Sequence, residues 1–441
     1  MAEIFPFHAY RYDLERVKLA EVVTQPYDKI TPSMQERYAE VPYNLITVEK
    51  GKATPNDSPH NNVYTRAEKA LEDWIRNGIL LRDMVPGIYV YSQEYTVPGS
   101  IERQIRNGFI ALGRVEDYAA GVIFRHEQTL SGPKADRLEL LRHTRTHTGQ
   151  LFMLYTDEER RIDLLLDGVR RNSAAIEVRD EYEVTHRLWP VFDRETIAPI
   201  VQEMAGRKLV IADGHHRYET ALAYRDQCRM QTEKPDAGVP YEKTMMTFFN
   251  TRSEGLLILP THRVISNVPE FSPPAFRGAM SEIFEQESYS FASDAARAVA
   301  SYGFQRALAA RGRTGRAIGM YAPGEFTLFH LRSDAPLATL MPDVSPAQRG
   351  LDVVLLHRIM LERGLGITPA AVATERNITY ERQMDAAVAT VDEGRAQICF
   401  LLNPVGVEQV MDMALAGEVL PQKSTDFYPK LLSGLTLYRM E

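Results

Sequence analysis

The pattern of apolar and polar residues is clearest in the stretch KLVIADGHHRYETALAYRDQC, in the middle of the chain. The apolar run Leu209–Ile211 is typical of a short buried strand. Asp213 and Gly214 then predict a tight turn, because glycine adopts backbone angles that other residues avoid. Tyr218 and Leu222 begin a series of positions at helical spacing. The stretch therefore predicts a strand, a glycine turn and a helix.

The same reasoning predicts strands and helices along the rest of the chain. Side chains return to the same face every two residues in a strand and every 3.6 residues in a helix. The spacing of the apolar positions therefore distinguishes strands from helices. The predicted elements are a strand at 43–48, a helix at 63–78, a hairpin of strands 88–97 and 104–112, a mostly helical stretch at 269–311 and an amphipathic helix at 348–363. Strands and helices mixed in this way predict an α/β (α+β) protein.

The length predicts more than one folding unit. A chain of 441 residues is long for one core, on a prior of about 150 residues per domain. We divide it into an N-terminal α+β region at 1–115, a core with the glycine turn at 116–266, a helical and hairpin insertion at 267–345 and a C-terminal α/β region at 346–441 that returns to the site.

The charge and the apolar runs narrow the choice of partners. A net charge of −8 argues against nucleic acid, because proteins that bind a phosphate backbone usually carry a basic surplus. No apolar run approaches the ~20 residues of a membrane span, and the N-terminal residues lack the layout of a signal peptide. We expect a cytoplasmic protein with no membrane partner. The oligomeric state stays open, a homo-oligomer included.

Gly214, His215, His216 and Arg217 form the candidate phosphate-binding turn. They fall at the N-terminus of the predicted helix, where backbone N–H groups and the helix dipole attract an anion. Arg217 adds a planar guanidinium group that matches phosphate oxygens. Glycine turns between strands and helices are common without any site, but this polar run is costly to bury without partners. We therefore interpret the turn as functional.

A second polar cluster follows the short apolar stretch at 121–124. His126 supplies an imidazole and Glu127 a carboxylate, and cations follow at Lys134 and Arg137. This combination suits a charged ligand, although a structural cluster of salt bridges has a similar composition. Further candidates for substrate contacts lie in turns, at strand ends and in the loop before the last predicted strand: Asp28, Arg263, Lys423 and Ser424.

Several motifs together resemble a known family. They are PFHAYRYD at the N-terminus, PYDKIT at 26–31, HEQT at 126–129, KADRLELL at 134–141, IADGHHRYETAL at 211–222, LPTHRVI at 259–265 and LPQKSTDFYPKLLSGL at 420–435. In combination they are similar, over essentially the whole chain, to the bacterial and archaeal family called domain of unknown function 1015.

The central turn resembles, more distantly, the Gly-x-His-Arg-type turn of the ParB and sulfiredoxin superfamily, which includes the free serine kinases. This resemblance implies a mixed-sheet core of ParB/sulfiredoxin-like type. It also implies that Gly214, His215, His216 and Arg217 bind nucleotide phosphates, and that an acidic residue acts on the hydroxyl group that receives or releases the phosphoryl group. Free serine or phosphoserine is the implied substrate.

The sequence hypothesis is a nucleotide-dependent phosphotransferase, a kinase for a small hydroxylated metabolite that uses ATP or ADP with Mg²⁺. Glu127, Asp213 and His126 are the candidate catalytic residues, and Glu127 and Asp213 are also the candidate metal ligands. One alternative is a metal-dependent phosphatase or other hydrolase with His126, Glu127, Asp213 and His215 as ligands. The other is a nucleotide-binding regulatory protein without turnover.

Overall fold

The computed structural model describes residues 2–127, 132–231, 238–421 and 423–441. Gln128 and Thr129 of the HEQT motif lie outside the described residues, as does Gln422 of the C-terminal motif. The chain folds into two compact units. The first consists of Met1–Arg125, Thr129–Leu257 and Phe427–Glu441, and the second of His126–Gln128 and Ile258–Asp426.

A mixed sheet forms the centre of the first unit. Its strands follow one another across the sheet in the order Ile123–Arg125, Leu209–Asp213, Leu151–Tyr155, Lys243–Asn250, Arg103–Arg114, Ile88–Thr96, Thr185–Val191 and Ile176–Arg179. The first strand pairs parallel with the second and the third with the fourth, and the other neighbours in this order are antiparallel. Ile4–Phe5 adds to Arg103–Arg114 in antiparallel orientation. The predicted mixed α/β class is confirmed.

Short strands and helices complete the first unit. Tyr10–Tyr12 pairs with Leu80–Arg82, and Thr146–His147 pairs with Tyr438–Arg439. The α-helices are Leu19–Val22, Pro32–Ala39, Ile46–Glu49, Val63–Arg76, Gly132–Thr144, Arg161–Arg170, Arg194–Met204 and His215–Met230, and 3₁₀ turns cover Tyr27–Lys29, Tyr118–Ala120 and Pro240–Glu242. Buried residues from the strands and helices pack into one core, among them Phe109, Phe248, Met153, Ile200 and Tyr218.

The helix Val63–Arg76 illustrates how the sequence sets these elements. Asn62 caps it, since its side chain accepts from the N–H of Thr65 while the Thr65 hydroxyl accepts from the N–H of Asn62. Ala67, Leu71 and Trp74 are buried. They recur at the spacing of one helical face. The sequence prediction of this helix is confirmed.

An antiparallel sheet forms the centre of the second unit. Its strands lie in the order Phe284–Ser290, Glu325–Leu331, Ala317–Ala322, Ile398–Leu402, His262–Ile265 and Ile378–Glu381. The helices are Pro273–Met280, Asp294–Thr314, Leu337–Leu340, Pro346–Arg349, Asp352–Leu355, Pro369–Ala373, Met384–Asp392 and Val407–Leu415, with a π-helix at Leu356–Gly364. Two short strands, Leu257–Leu259 and Asp426–Tyr428, lie where the chain passes from one unit to the other.

These units do not coincide with the four regions drawn from the sequence. Strands from the 267–345 region and from the 346–441 region pair in one sheet of the second unit. The last residues, Phe427–Glu441, belong to the first unit. Among the described residues, every helix is too short or too polar to cross a bilayer.

The predicted strand at 43–48 is wrong, and two stretches predicted as helical differ from the structure in detail. The 43–48 stretch ends in the helix Ile46–Glu49 because Asn44 bonds its own turn, accepting from Ile46 N at 2.9 Å and donating to Glu21 O at 2.6 Å. The strand Phe284–Ser290 interrupts the stretch predicted as mostly helical. The stretch at 348–363, predicted as one amphipathic helix, contains the short α-helix Asp352–Leu355 followed by the π-helix Leu356–Gly364. The apolar residues of both are buried, as the amphipathic pattern predicts.

Candidate active site

The predicted strand, glycine turn and helix are confirmed as Leu209–Asp213, Gly214 and His215–Met230. Gly214 has φ +93°, in the left-handed region that favours glycine. A Cβ atom there would lie 3.0 Å from Leu151 Cδ2 and 3.1 Å from Arg217 Nη2. Both the backbone angle and the close approach therefore require glycine.

The strand is irregular just before this turn. Ile211 lies opposite Met153 and Asp213 lies opposite Phe152, so Ala212 is an extra residue in the ladder. A bulge of this kind bends a strand and redirects the side chains that follow it, and bulges are common beside active sites. Here it sets the direction of Asp213 at the end of the strand.

Positive groups surround Asp213. Its Oδ2 lies 3.5 Å from Lys430 Nζ and 3.9 Å from Arg217 Nη2. Burial opposes ionisation of this carboxyl, but the charges of Lys430, Arg217, Lys29 and His215 outweigh burial and hold its pKa well below the usual range. Asp213 is therefore ionised at neutral pH and holds several cations at the N-terminus of the helix.

This arrangement predicts a loss of stability in acid. Because the folded pKa of Asp213 lies below the unfolded value of about 3.9, its contribution is present above that pH and is lost as the pH falls further. We expect the stability of Asp213→Asn to depend less steeply on pH below about 4 than that of the natural sequence. Urea unfolding at a series of pH values measures this, with the partly exposed Asp73→Asn as control. Identical slopes for Asp213→Asn and the natural sequence would contradict it.

The C-terminal segment supplies Lys430. Ser433 exchanges two backbone hydrogen bonds with Thr24, at 2.9 and 3.1 Å. The side chain of Gln93 donates to Lys430 O at 2.8 Å. Arg106 donates to the carbonyl groups of Tyr428 and Pro429 at 3.0 and 2.5 Å. These bonds fix the segment inside the first unit and with it the position of the Lys430 ammonium group.

A cavity adjoins the turn within the first unit, and its empty space of about 450 Å³ includes space open to solvent. Its polar lining consists of Glu49, Arg137, Thr146, His147, Thr148, Arg217, Thr220 and Thr244. Burial lowers the pKa of His147 to about 4, so its imidazole is neutral at pH 7. The charged groups that face this space are therefore two guanidinium groups and one carboxylate.

Glu49 is the carboxylate of this cavity, and its residue is only 3% exposed. Its Oε2 accepts from the hydroxyl group of Thr148. Arg137 donates to the Glu49 backbone carbonyl at 2.6 Å, and its Nη1 lies 4.0 Å from Oε1. The Arg137 guanidinium also stacks over the ring of Tyr27, 4.4 Å from the centroid. Burial raises the pKa of Tyr27 to about 12, so its hydroxyl stays protonated.

Arg217 and Glu49 approach the same point of the backbone, Gly149. A Cβ atom on Gly149 would lie 3.1 Å from Arg217 Nη1, 3.6 Å from Glu49 Oε1 and 3.4 Å from Ser433 Oγ. Arg217 also donates to the carbonyl of the next residue, Gln150. Gly149 thus keeps open a point where a guanidinium, a carboxylate and a hydroxyl group meet.

The structure divides the residues predicted from the sequence between the two units. Asp28, Asp213, Gly214, His215, His216 and Arg217 lie in the first unit, and His126, Glu127, Arg263, Lys423 and Ser424 in the second. His215 is buried, His216 is half-buried and Asp28 is exposed in the 3₁₀ turn Tyr27–Lys29, next to the Tyr27 ring.

In the second unit, His126 and Glu127 hold a loop. His126 O accepts from Leu420 N at 2.7 Å, and its ring Nε2 lies 2.7 Å from Thr425 Oγ1. Glu127 Oε1 accepts from the backbone N–H of Lys423 at 2.6 Å. The catalytic role of this pair stays a prediction, and the contacts of the pair within the second unit position the loop at 420–425.

The residues that the sequence analysis did not assign to the site are Glu49, Lys29, Thr148 and Lys430, and it named Arg137 only as a nearby cation. Three of the five lie inside motifs that carried the family resemblance: Lys29 in PYDKIT, Arg137 in KADRLELL and Lys430 in the C-terminal motif. For these three residues, the sequence signal that could have assigned them to the site was a charged side chain inside a family motif. Glu49 lies in none of them.

A metal ion finds no complete set of ligands here. Within the described ranges, no group of three or more His, Cys, Asp and Glu side chains is arranged to hold one. Mg²⁺ commonly uses only one or two protein carboxylates and completes its shell with water and substrate phosphates. The cations around Asp213 disfavour a bare Mg²⁺, which fits this unit only together with an anionic ligand.

The fold and site together define a mixed α/β protein with a basic cluster at a strand–glycine–helix junction. The chain belongs to the family described as Protein of unknown function (DUF1015), whose model matches residues 4–354. This confirms the family resemblance over residues 4–354, and the motif at 420–435 lies outside the matched range.

Solved structures add a remote likeness. A free serine kinase in complex with AMP is 11% identical with a TM-score of 0.33, and a variant of that kinase in complex with ADP is 10% identical with a TM-score of 0.34; each comparison covers 71% of this chain and 89% of the other. SbnI with a C-terminal truncation from Staphylococcus aureus is 10% identical, with 74% and 87% covered and a TM-score of 0.33. The comparison with curated proteins found no match.

Proposed function

We propose that this protein is a nucleotide-dependent phosphotransferase that acts on a small hydroxylated metabolite, at a site in its first unit. The observation that carries this proposal is the meeting of Arg217 and Glu49 at Gly149, beside the glycine turn. Phosphoryl transfer depends on positioning and on neutralising phosphate charge. The cations and the helix N-terminus neutralise phosphate charge. The cavity lined by Glu49 supplies space for an acceptor.

The phosphate-binding part consists of the turn and the cations that Asp213 holds. The helix His215–Met230 directs the N–H groups and the positive end of its dipole toward the turn. Arg217 presents a planar guanidinium group, and Lys430 adds a compact charge. Phosphate oxygens placed at this helix end would meet donors from both the backbone and the side chains.

The acceptor part is the cavity around Glu49. In phosphotransferases a carboxylate commonly accepts the proton of the attacking hydroxyl group. Glu49 fits this role because it is ionisable, buried and oriented by Thr148, and because it faces Arg217 across Gly149. A hydroxyl group beside Glu49 would therefore be positioned near phosphate oxygens held by Arg217.

The metal and the first acceptor to test follow from the same chemistry. Mg²⁺ would enter with the nucleotide, with Asp213 or Glu49 as the carboxylate that holds it, and would neutralise phosphate charge. Free serine is the first acceptor to test because the sequence motif resembles that of the free serine kinases. Glu127 stays a proposed alternative base and metal ligand.

The direct test incubates the full chain with ATP or ADP, Mg²⁺ and a panel of hydroxylated amino acids and metabolites. We expect a new phosphorylated acceptor by mass spectrometry and ³¹P NMR. Release of phosphate without an acceptor would favour the hydrolase, and nucleotide binding without any product would favour the regulatory protein. Absence of both binding and turnover would refute the proposal.

Replacing Arg217 tests the nucleotide site by itself. We expect Arg217→Ala to weaken ATP or ADP binding at least tenfold, about 1.4 kcal/mol, because a charged donor to phosphate is lost. Isothermal titration measures the affinity, and thermal unfolding shows that the variant is folded. Arg76→Ala, an arginine on an exposed helix end, is the control. Unchanged nucleotide affinity in Arg217→Ala would count against the site.

A further inference from the structure

The second unit contains a polar cavity of its own, whose empty space of about 530 Å³ includes space open to solvent. Its polar side chains come from Thr261, Arg263, Arg316, Asp352, Asn403, Gln409 and Ser424. All of its lining residues lie between Thr261 and Ser424 and so belong to the second unit alone.

Arg263 lies in the wall of this cavity with 1% of its residue exposed. Its Nη1 donates to Thr261 O, and its Nη2 donates to Lys423 O at 3.1 Å. Its Nε is buried and meets no acceptor among the described residues. Burial lowers the pKa of Arg263 to about 10, so the group stays cationic at neutral pH.

Two further buried polar atoms of the cavity wall lack a hydrogen-bond partner among the described residues: Nε of Arg316 and Oδ1 of Asp352. The large majority of buried side-chain polar atoms in native proteins have a hydrogen-bond partner, so three exceptions in one cavity call for an explanation. Burial raises the pKa of Asp352 to about 7, although Arg316 opposes this shift. Whether Asp352 is protonated or not, two guanidinium groups leave the cavity positive.

Glycines keep the cavity open where other residues would fill it. A Cβ atom on Gly350 would lie 3.1 Å from Arg316 Nη2, and one on Gly312 would lie 2.2 Å from Asn403 Nδ2. Gly315 also lines the cavity and has His330 Nε2 2.6 Å from its Cβ position. Three side chains would therefore have to move if these glycines were replaced.

Two more buried polar atoms without a hydrogen-bond partner among the described residues belong to residues near Arg263. The Tyr380 ring lies 5.5 Å from the Arg263 guanidinium carbon, and the Tyr380 hydroxyl has no hydrogen-bond partner among the described residues. The same holds for Nε2 of His357, whose pKa burial and the charge of Arg263 lower to about 3. His357 lies in the π-helix Leu356–Gly364, a rare structure that is frequent at functional sites.

We propose that the cavity of the second unit is a binding site for a small metabolite with a carboxylate or phosphate group, which Arg263 and Arg316 hold while Asp352 contacts a polar group of the same ligand. The geometry favours an oxyanion because guanidinium groups pair with carboxylate and phosphate oxygens. The helix Val407–Leu415 adds the positive end of its dipole, since Pro404 and Val405 at its start line the cavity. This site is independent of the function proposed for the first unit.

The test titrates the full chain with inorganic phosphate and, separately, with lactate as a simple carboxylate. We expect saturable binding of at least one probe by isothermal titration. Arg316→Met should weaken that binding at least tenfold, because it removes one of the two guanidinium groups. Gly350→Ala is a second test variant, and it keeps every charge. Gly350 has φ −80°, which alanine adopts readily. The added methyl group displaces the Arg316 side chain.

The controls separate this site from the first unit. Arg395→Met removes an exposed arginine of the second unit and should bind the probe as the natural sequence does. Preference for phosphate or for lactate identifies which oxyanion the site takes. Absence of saturable binding for both probes overturns the proposal. So does binding that Arg217→Ala abolishes while Arg316→Met leaves it intact, because the anion then lies in the first unit.

Discussion

Replacement of Glu49 by glutamine is expected to lower the rate of phosphoryl transfer by about 10²- to 10⁴-fold, the usual contribution of a positioned general base. Glutamine keeps the size of the side chain, and its amide oxygen still accepts from Thr148. It cannot take the proton of an attacking hydroxyl group. Nucleotide affinity should change little, because Arg217 and the helix N-terminus remain.

The measurement combines single-turnover kinetics with nucleotide titration. A fall in rate with unchanged affinity indicates a role in chemistry, whereas equal losses in both would indicate a damaged site. Glu72→Gln, an exposed glutamate of the helix Val63–Arg76, is the matched control. Glu127→Gln decides between the two carboxylates proposed as the base. Full activity in Glu49→Gln, with activity lost in Glu127→Gln, would return the role to the residue chosen from the sequence.

The local parts of the site could be predicted from the sequence. Gly214 is required by the backbone angle and by the closeness of Leu151 and Arg217, and the strand and helix around it follow from local apolar patterns. The glycine, the apolar run before it and the helical pattern after it lie within a few consecutive residues, so the turn and both elements are visible in the local sequence. Local order of this kind needs no knowledge of distant contacts.

The residues that complete the site could not be predicted in that way. Glu49 ends a helix that exists because Asn44 bonds to the distant Glu21 carbonyl, so its segment looks like a strand when read alone. Lys430 reaches Asp213 because the C-terminal segment returns to the first unit. His126 and Glu127 have the composition of a site, yet their bonds within the second unit go to Leu420, Lys423 and Thr425. The residue types alone do not distinguish a residue of the site from a residue that positions a loop.

Arg106 holds the returning C-terminal segment through two hydrogen bonds. It is fully buried, and its guanidinium carbon lies 4.6 Å from the ring centroid of Phe152 and 4.8 Å from that of Phe249. It donates to Gln93 as well as to the carbonyl groups of Tyr428 and Pro429. Burial lowers its pKa to about 10, so it is charged at neutral pH.

We expect Arg106→Met to destabilise the first unit by about 3 kcal/mol or more. Methionine fills much of the volume, and replacing a buried charge with an apolar group is sometimes neutral. Here two buried acceptors, Oε1 of Gln93 and the carbonyl of Pro429, would lose this donor at about 1 to 3 kcal/mol each, and this cost outweighs the gain from removing the charge. The Lys430 ammonium would lose its position beside Asp213, so nucleotide binding should fall as well.

Tryptophan fluorescence during urea unfolding measures this effect selectively. The chain has 2 tryptophans, and both Trp74 and Trp189 are buried in the first unit. Arg103→Met on the same strand is the control, because Arg103 is exposed and makes a surface ion pair with Glu94; its effect should stay within about 0.5 kcal/mol. If the two variants unfold at the same urea concentration, Arg106 does not hold the C-terminal segment, and the position of Lys430 beside Asp213 must have another cause.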